Sequence, residues 1–280
     1  MIDTLNSNLT RLDYGPIQMN IQASCHGQPL VEYQRAAAQE AMKLLDELAK
    51  CKHIAAQPQE KIDDISGFPV VLQKMVAAVR ESGDRTLTPM AAVAGSFADL
   101  VADYLIEQGA TKVIVNNGGD IAVRLLDNES VTVGLAPALG APFTHVKQIT
   151  AHDDIGGITT SGLGGRSFTK GIATAAVVAA TSAALADACA TSIGNATYAS
   201  HPNIKMVLAE SIDPNIDIKG HYVVAHVGVL PQEIVEAALN NGSQKPQEWF
   251  NEGRIKGAAI FINNRGIFVP DYFAQPTKHS

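Results

Sequence analysis

The residues with the clearest chemical potential are Asp187, set in an otherwise apolar run from Ala183 to Ala190, and Thr191 directly after it. They are spaced four apart, so on a helix they stack on one face, and Asn195 continues the line. A helix that is apolar nearly all round is usually buried. A buried carboxylate needs a partner, because an unpaired charge away from water costs several kcal/mol or more. A carboxylate and a hydroxyl are hard oxygen donors of the kind Mg²⁺ takes, with phosphate oxygens and water completing its shell. The plainer alternative has Asp187 accepting from backbone N–H groups of a loop and Thr191 bonding back to its own helix.

Three other segments carry matching chemistry. Pro89 to Ser96 opens a helix with small residues, which lets a ligand approach the backbone; tight helix packing explains the same composition. Asn116-Asn117-Gly118-Gly119-Asp120 has one glycine more than an Asn-Gly hairpin needs, followed at once by a carboxylate that can hold a ribose or adenine edge; a simple turn is the rival reading. Thr159 to Ser167 is rich in hydroxyls and glycine, and with Arg166 it can cradle an anion. It has neither the G-x-x-x-x-G-K-[ST] nor the G-x-G-x-x-G spacing, and a surface loop is the alternative. His145, His152, Asp153 and Asp154 are further candidates for handling a small anionic metabolite, although paired acids before Gly156-Gly157 also suit a solvated turn.

The elements that must position these residues follow from periodicity. Alternation predicts a strand over 16–24, and helical spacing predicts helices over 31–52 and 69–81, the second stopped by Gly83. The stretch 53–67 reads as a loop. Thr88-Pro89 predicts a hydroxyl-capped helix reaching Gln108. Residues 112–123 read as strand, turn, strand, with further strands near 130–136 and 144–151. A loop is expected over 156–165, a buried strand over 171–180 and a helix over 181–196. The tail reads as a strand at 221–229, helices at 231–240 and 244–251, and a hairpin at 257–270. That hairpin echoes the one near Asn117, which hints at a duplicated β-α-β unit; a coincidence of two Asn/Gly turns, which draw on few residue types, is the equal alternative. The element order favours antiparallel sheets backed by helices over a doubly wound parallel sheet.

The chain has 280 residues, 46% hydrophobic and 18% charged, with a net charge of −7. Such a chain is globular, and its acidity argues against nucleic acid and anionic membrane as partners. Cys25, Cys51 and Cys189 are too sparse for a disulfide framework, and their spacing to His26 and His53 is not that of a closed zinc site. The first residues lack a cationic start and an apolar run, and 171–190 lacks the bulky hydrophobes of a membrane span, so a cytoplasmic protein is expected.

Taken in order, Pro89–Gly95, Val115–Ile121, Thr160–Gly162 and Ser182–Thr191 resemble the FAD:protein FMN transferase (ApbE) superfamily, most closely its shortened, poorly characterised branch. The match centres on residues 84–197 of what reads as a single domain over 1–280. The resemblance implies a T-fold-like α+β architecture with a duplicated arrangement. It also implies Mg²⁺ held by Asp187, Thr191 and the backbone carbonyl of Ala94. Gly95, Asn117, Gly118, Gly119, Asp120, Thr160, Ser161 and Gly162 would line the site for FAD. In the family the FMN half of FAD passes to a threonine or serine of a flavoprotein target. Full-length members carry a functional histidine in an insertion after the Thr-Ser-Gly piece. Here the segment from Ser161 to Asp187 has no histidine and offers Arg166 instead. Three readings therefore stand: a Mg²⁺-dependent flavin transferase or FAD pyrophosphatase using Asp187 and Arg166, a flavin- or nucleotide-binding protein without catalysis, and another enzyme for a small anionic ligand. An oligomer is compatible with each.

Overall fold

A computed structural model describes residues 1–6, 8–165 and 167–277. In chain order, strands β1 (Ile2–Asn6), β2 (Leu9–Tyr14), β3 (Ile17–Cys25) and β4 (Gln28–Pro29) precede helices α1 (Val31–Lys50), α2 (Lys52–Ala55), α3 (Val70–Ser82) and α4 (Val93–Glu107). Then come β5 (Lys112–Asn117), β6 (Asp120–Leu125), β7 (Ser130–Leu135), β8 (His145–Thr150), β9 (Gly157–Ser161), β10 (Ala175–Ala180) and α5 (Ala183–Ala196). The chain closes with β11 (Ile204–Leu208), α6 (Ala209–Ile212), β12 (Tyr222–Val227), α7 (Gln232–Asn251), β13 (Gly257–Ile262), β14 (Arg265–Val269) and β15 (Gln275–Pro276).

The chain divides into two compact units. The first comprises 1–131, 149–159 and 179–188. Its strands run in the order β1-β2-β3-β5-β6-β9, antiparallel throughout. In β3 the buried Ile17, Met19, Ile21 and Ala23 alternate with polar Gln18, Asn20 and Gln22, so one face of the strand is apolar. Helices α1, α3 and α4 cover that face: Ala38, Ala41 and Leu44 of α1, Leu72 and Met75 of α3, and Phe97, Val101 and Leu105 of α4 share one core with the strands. The second unit comprises 132–148, 160–178 and 189–280. It holds the antiparallel β13–β14 and β11–β12 pairs and a β15-β8-β7 ladder, with α7 packed on β13 and β14. Helices and antiparallel sheet are thus mixed, as the periodicity predicts.

Four local expectations are corrected. The turn after Thr88 is a 3-10 helix over Pro89–Ala92 before α4 proper, and the Thr88 side chain does not cap it. The predicted loop 156–165 begins as strand β9, because Gly157 and Ile158 pair with Ala122 and Ile121. The two predicted tail helices are a single α7. Gly242 is no stop there: a side chain at that position would collide with Thr197, so its smallness serves packing inside the helix. The loop expected over 53–67 holds the short α2 and a further 3-10 turn at Gln59–Lys61. Among the described residues one helical stretch, Pro89–Glu107, is by length and composition apolar enough to cross a membrane, and 56% of its most apolar window is buried inside protein. Strands β1, β2 and β11 escape the periodic signal altogether.

Candidate functional site

The site is built where the first turns of α4 and α5 meet in the first unit. Small residues permit the approach. A Cβ on Gly95 would run into the backbone of Ala183 and Ala184, a Cβ on Gly157 into Ala183, and a Cβ on Gly156 into the carbonyl of Thr181. Ala92, Ala184 and Ala188 complete the contact.

The two helix starts cap each other. Helix α4 lacks a side-chain cap of its own. The carboxylate of Asp187, one turn into α5, accepts from the N–H of Gly95 at 3.0 Å, with the Ala94 N–H directed at the same group. In return Asp99, one turn further along α4, accepts from Ala183 N at 3.1 Å and Ala184 N at 2.9 Å. Ser182 supplies the local cap of α5 through its Oγ, which accepts from Leu185 N at 3.2 Å. Negative side chains at both N-termini also favour the helix dipoles.

The two aspartates differ in what balances their charge. Asp99 is fully buried and pairs with Arg124 at 2.9 Å and Lys74 at 3.9 Å. No basic side chain pairs with Asp187 among the described residues. Of the charged side chains that act on it, the carboxylate of Asp120 has the largest effect, and Asp99 adds to it. Burial, then Asp120, hold the Asp187 carboxyl well above the usual carboxylate range, and the Gly95 and Ala94 N–H groups only partly offset this. An enclosed carboxylate whose charge is disfavoured by a second carboxylate is an arrangement a divalent cation would relieve.

The hairpin β5–β6 supplies Asp120 and shapes the surroundings. Asn117 pairs with Asp120 across a two-residue turn of Gly118 and Gly119, both at positive φ (71° and 113°). Asn116 Oδ1 accepts from Gly119 N at 2.8 Å, which fixes the turn. Asn117, 3% exposed, donates from Nδ2 to the carbonyl of Ala94 at 3.2 Å. The Ala94 carbonyl, Asp120 and Asp187 thus lie in one neighbourhood. A side chain at Gly119 would meet only open space.

Of the sequence-predicted residues, the structure brings together Ala94, Gly95, Asn117, Gly118, Gly119, Asp120 and Asp187 in the first unit. Thr160, Ser161, Gly162 and Thr191 belong to the second. There Thr160 and Ser161 end β9, and Gly162 presses on the backbone of Ala173 and Thr174 with φ 148°. Thr191 sits half-buried on α5. Arg166 lies outside the described residues. His145 is packed beside the Phe268 ring, centroids 4.6 Å apart. Asp153 closes a local turn by accepting from Thr150 N and Oγ1, at 2.6 and 2.8 Å. Among the described residues no group of three or more His, Cys, Asp and Glu side chains could hold a metal. The residues that sequence reasoning missed are Asp99 and Arg124. The available signal was an aspartate amid the apolar residues of α4, since buried acids occur almost only in pairs.

Antiparallel strands flanked by helices place the chain in the fold class of the flavinyl transferase ApbE. The crystal structure of that protein from Pseudomonas stutzeri, in its apo form, matches with a TM-score of 0.50 at 13% identity, covering 99% of this chain and 96% of that one. The chain belongs to the family described as "AbpE bacteria", whose sequence profile matches residues 3–268. It is also similar to proteins named UPF0280. That of Methanococcoides burtonii is 35% identical over 173 residues, 60% of this chain and 70% of the relative. That of Methanopyrus kandleri is 34% identical over 191 residues, 65% of this chain and 74% of the relative.

Proposed function

We propose that this protein is a Mg²⁺-dependent, flavin-related transferase that binds FAD at the α4–α5–hairpin site and passes its FMN half to a hydroxyl of a flavoprotein target. The observation that carries the reading is Asp187: a largely enclosed carboxylate that no basic side chain among the described residues pairs with and whose charge Asp120 further disfavours. The donor set fits the ion. Mg²⁺ is held by one or two carboxylates plus substrate phosphates and water rather than by an all-protein cage. Asp187, Asp120 and the Ala94 carbonyl would hold it. Bound there, it would supply charge to the pyrophosphate of FAD as a Lewis acid.

The chain's own residues do the rest. Asn117 orients the Ala94 carbonyl through its amide. Gly118 and Gly119 leave room for a nucleotide to approach the backbone. Asp187 stays anchored to the Gly95 N–H, so its second oxygen keeps a fixed direction. The FMN phosphate would form an ester with a threonine or serine hydroxyl, with AMP as the leaving group. We also read the β5–β6 and β13–β14 hairpins as corresponding parts of a duplicated, T-fold-like β-α-β arrangement.

Incubation with FAD and Mg²⁺, with and without EDTA, tests this reading. AMP release that needs the metal is expected; neither AMP nor FMN under any condition would overturn it. A second reading, binding of flavin or nucleotide without transfer, is favoured by the absence of histidine between Ser161 and Asp187. Calorimetric binding of FAD or FMN with no AMP release would select it.

A further inference from the structure

Asp99 does more than stabilise a helix end. Ser182 already caps α5, and a neutral side chain could satisfy a second N–H. Instead the fold buries a full negative charge and surrounds it. Both oxygens of Asp99 accept backbone N–H groups of Ala183 and Ala184. Arg124 Nη2 reaches Oδ1 at 2.9 Å. Arg124 is itself fixed on three further oxygens: its Nε donates to Asp103 Oδ1 at 2.8 Å, and Nη1 donates to the carbonyls of Gly156 at 2.8 Å and Val123 at 3.0 Å. Buried ion pairs of this kind are a poor route to stability and are best attested as devices that fix register.

The register in question concerns the carboxylate pair. Arg124 is on β6, the strand that begins with Asp120. Asp99 grips α5 at the start of the turn that carries Asp187. Positions 120 and 124 lie on one face of their strand, and 183 and 187 are one helical turn apart. The Arg124–Asp99 clamp therefore ties together the two elements that bear the two carboxylates. Gly95, Gly156 and Gly157, from neighbouring segments of the fold, press on the backbone of 181–184, so the first turn of α5 has no slack from flexible side chains.

We propose that Asp99, held by Arg124, is a positioning residue for cation binding: it sets the placement of Asp187 relative to Asp120 without touching the ion. The inference rests on the reading of Asp187 and Asp120 as cation ligands.

The test measures Mn²⁺ affinity by calorimetry on the full chain for wild type, Asp99→Asn and Arg124→Lys. Amide exchange of 183–188 and far-UV circular dichroism are followed in parallel. Both variants are expected to bind Mn²⁺ about 10- to 30-fold more weakly, in the range typical for loss of an outer partner of a metal ligand. Exchange should quicken in the first turn of α5 while the overall spectrum is unchanged. A folded variant that binds Mn²⁺ within about twofold of wild type, whatever its melting temperature, would overturn the proposal by making the clamp a mere cap. Arg124→Lys keeps the positive charge and carries the test should Asp99→Asn fail to fold. Failure of the wild type itself to bind Mn²⁺ would bring down the cation reading, and this inference with it, so the two failures are told apart by the wild-type trace.

Discussion

Asp99 and Asp187 sit at the two ends of one helix–helix contact and do the same local job. Each lies within the first two turns of a helix and accepts backbone N–H groups from the start of the other. Their surroundings are opposite. Asp99 is wrapped by Arg124 and Lys74, whereas the charged group that acts most strongly on Asp187 is Asp120. The difference separates a charge the fold has neutralised from one it has left for something else to neutralise. A cap motif alone says nothing about function; the sign of the next charged group decides.

The contrast predicts opposite signs on mutation. Asp187→Asn keeps an oxygen for the Gly95 N–H but removes the charge. Mn²⁺ affinity should fall more than about 100-fold in calorimetry, beyond what loss of an outer partner costs. The same substitution should raise the melting temperature in EDTA, since it ends the repulsion with Asp120. The pH dependence follows from linkage. Folded Asp187 keeps its proton to higher pH than the unfolded chain does, so the folded state binds more protons as pH rises past the ordinary carboxylate range. The cation-free protein should therefore lose stability with rising pH over that interval, and Asp187→Asn should flatten the slope. Asp99→Asn should do the reverse of Asp187→Asn in EDTA. It takes from Arg124 one of its two carboxylate partners, Asp103 remaining, and should cost about 2 kcal/mol in urea unfolding, as expected for a lost hydrogen bond between charged groups. Equal signs for the two variants would break the comparison.

Smaller effects sharpen it. Asn117→Ala releases the Ala94 carbonyl and should weaken Mn²⁺ binding about 10-fold. Arg265→Ala, in the other Asn-containing hairpin, should leave Mn²⁺ binding alone and move the melting temperature by no more than about 1 °C, because its partnership with Glu236 is solvent-exposed.

Those two hairpins also show how far the sequence could be read. Their likeness is visible as text, with Asn116-Asn117 matching Asn263-Asn264. The folded registers do not follow that match. In β13–β14 the asparagines are the turn, between Ile262 and Arg265, and Asn263 adopts φ 54°. In β5–β6 the glycines take the turn, so the asparagines move into the strand and Asn117 is free to hold Ala94. Both turn residues there have positive φ, which glycine adopts without strain, and that settles the register locally. Long periodic elements such as β3 and α1 were readable because burial imposes their spacing. The seam of α7 was not, since Gly242 signals a break by propensity and is retained for its small size against Thr197. Asp187 and Asp120 could be singled out as carboxylates with unusual neighbours. Their approach to each other, and the role of Arg124, depend on contacts between segments far apart in sequence.

The central claim is that Asp187 and Asp120 share a divalent cation. Crystals grown with Mn²⁺ and FAD, measured near the manganese absorption edge, test it most directly. The account predicts an anomalous peak within about 2.5 Å of a carboxylate oxygen of Asp187. A map with no peak there, from crystals that hold Mn²⁺ at another position or none at all, would contradict it.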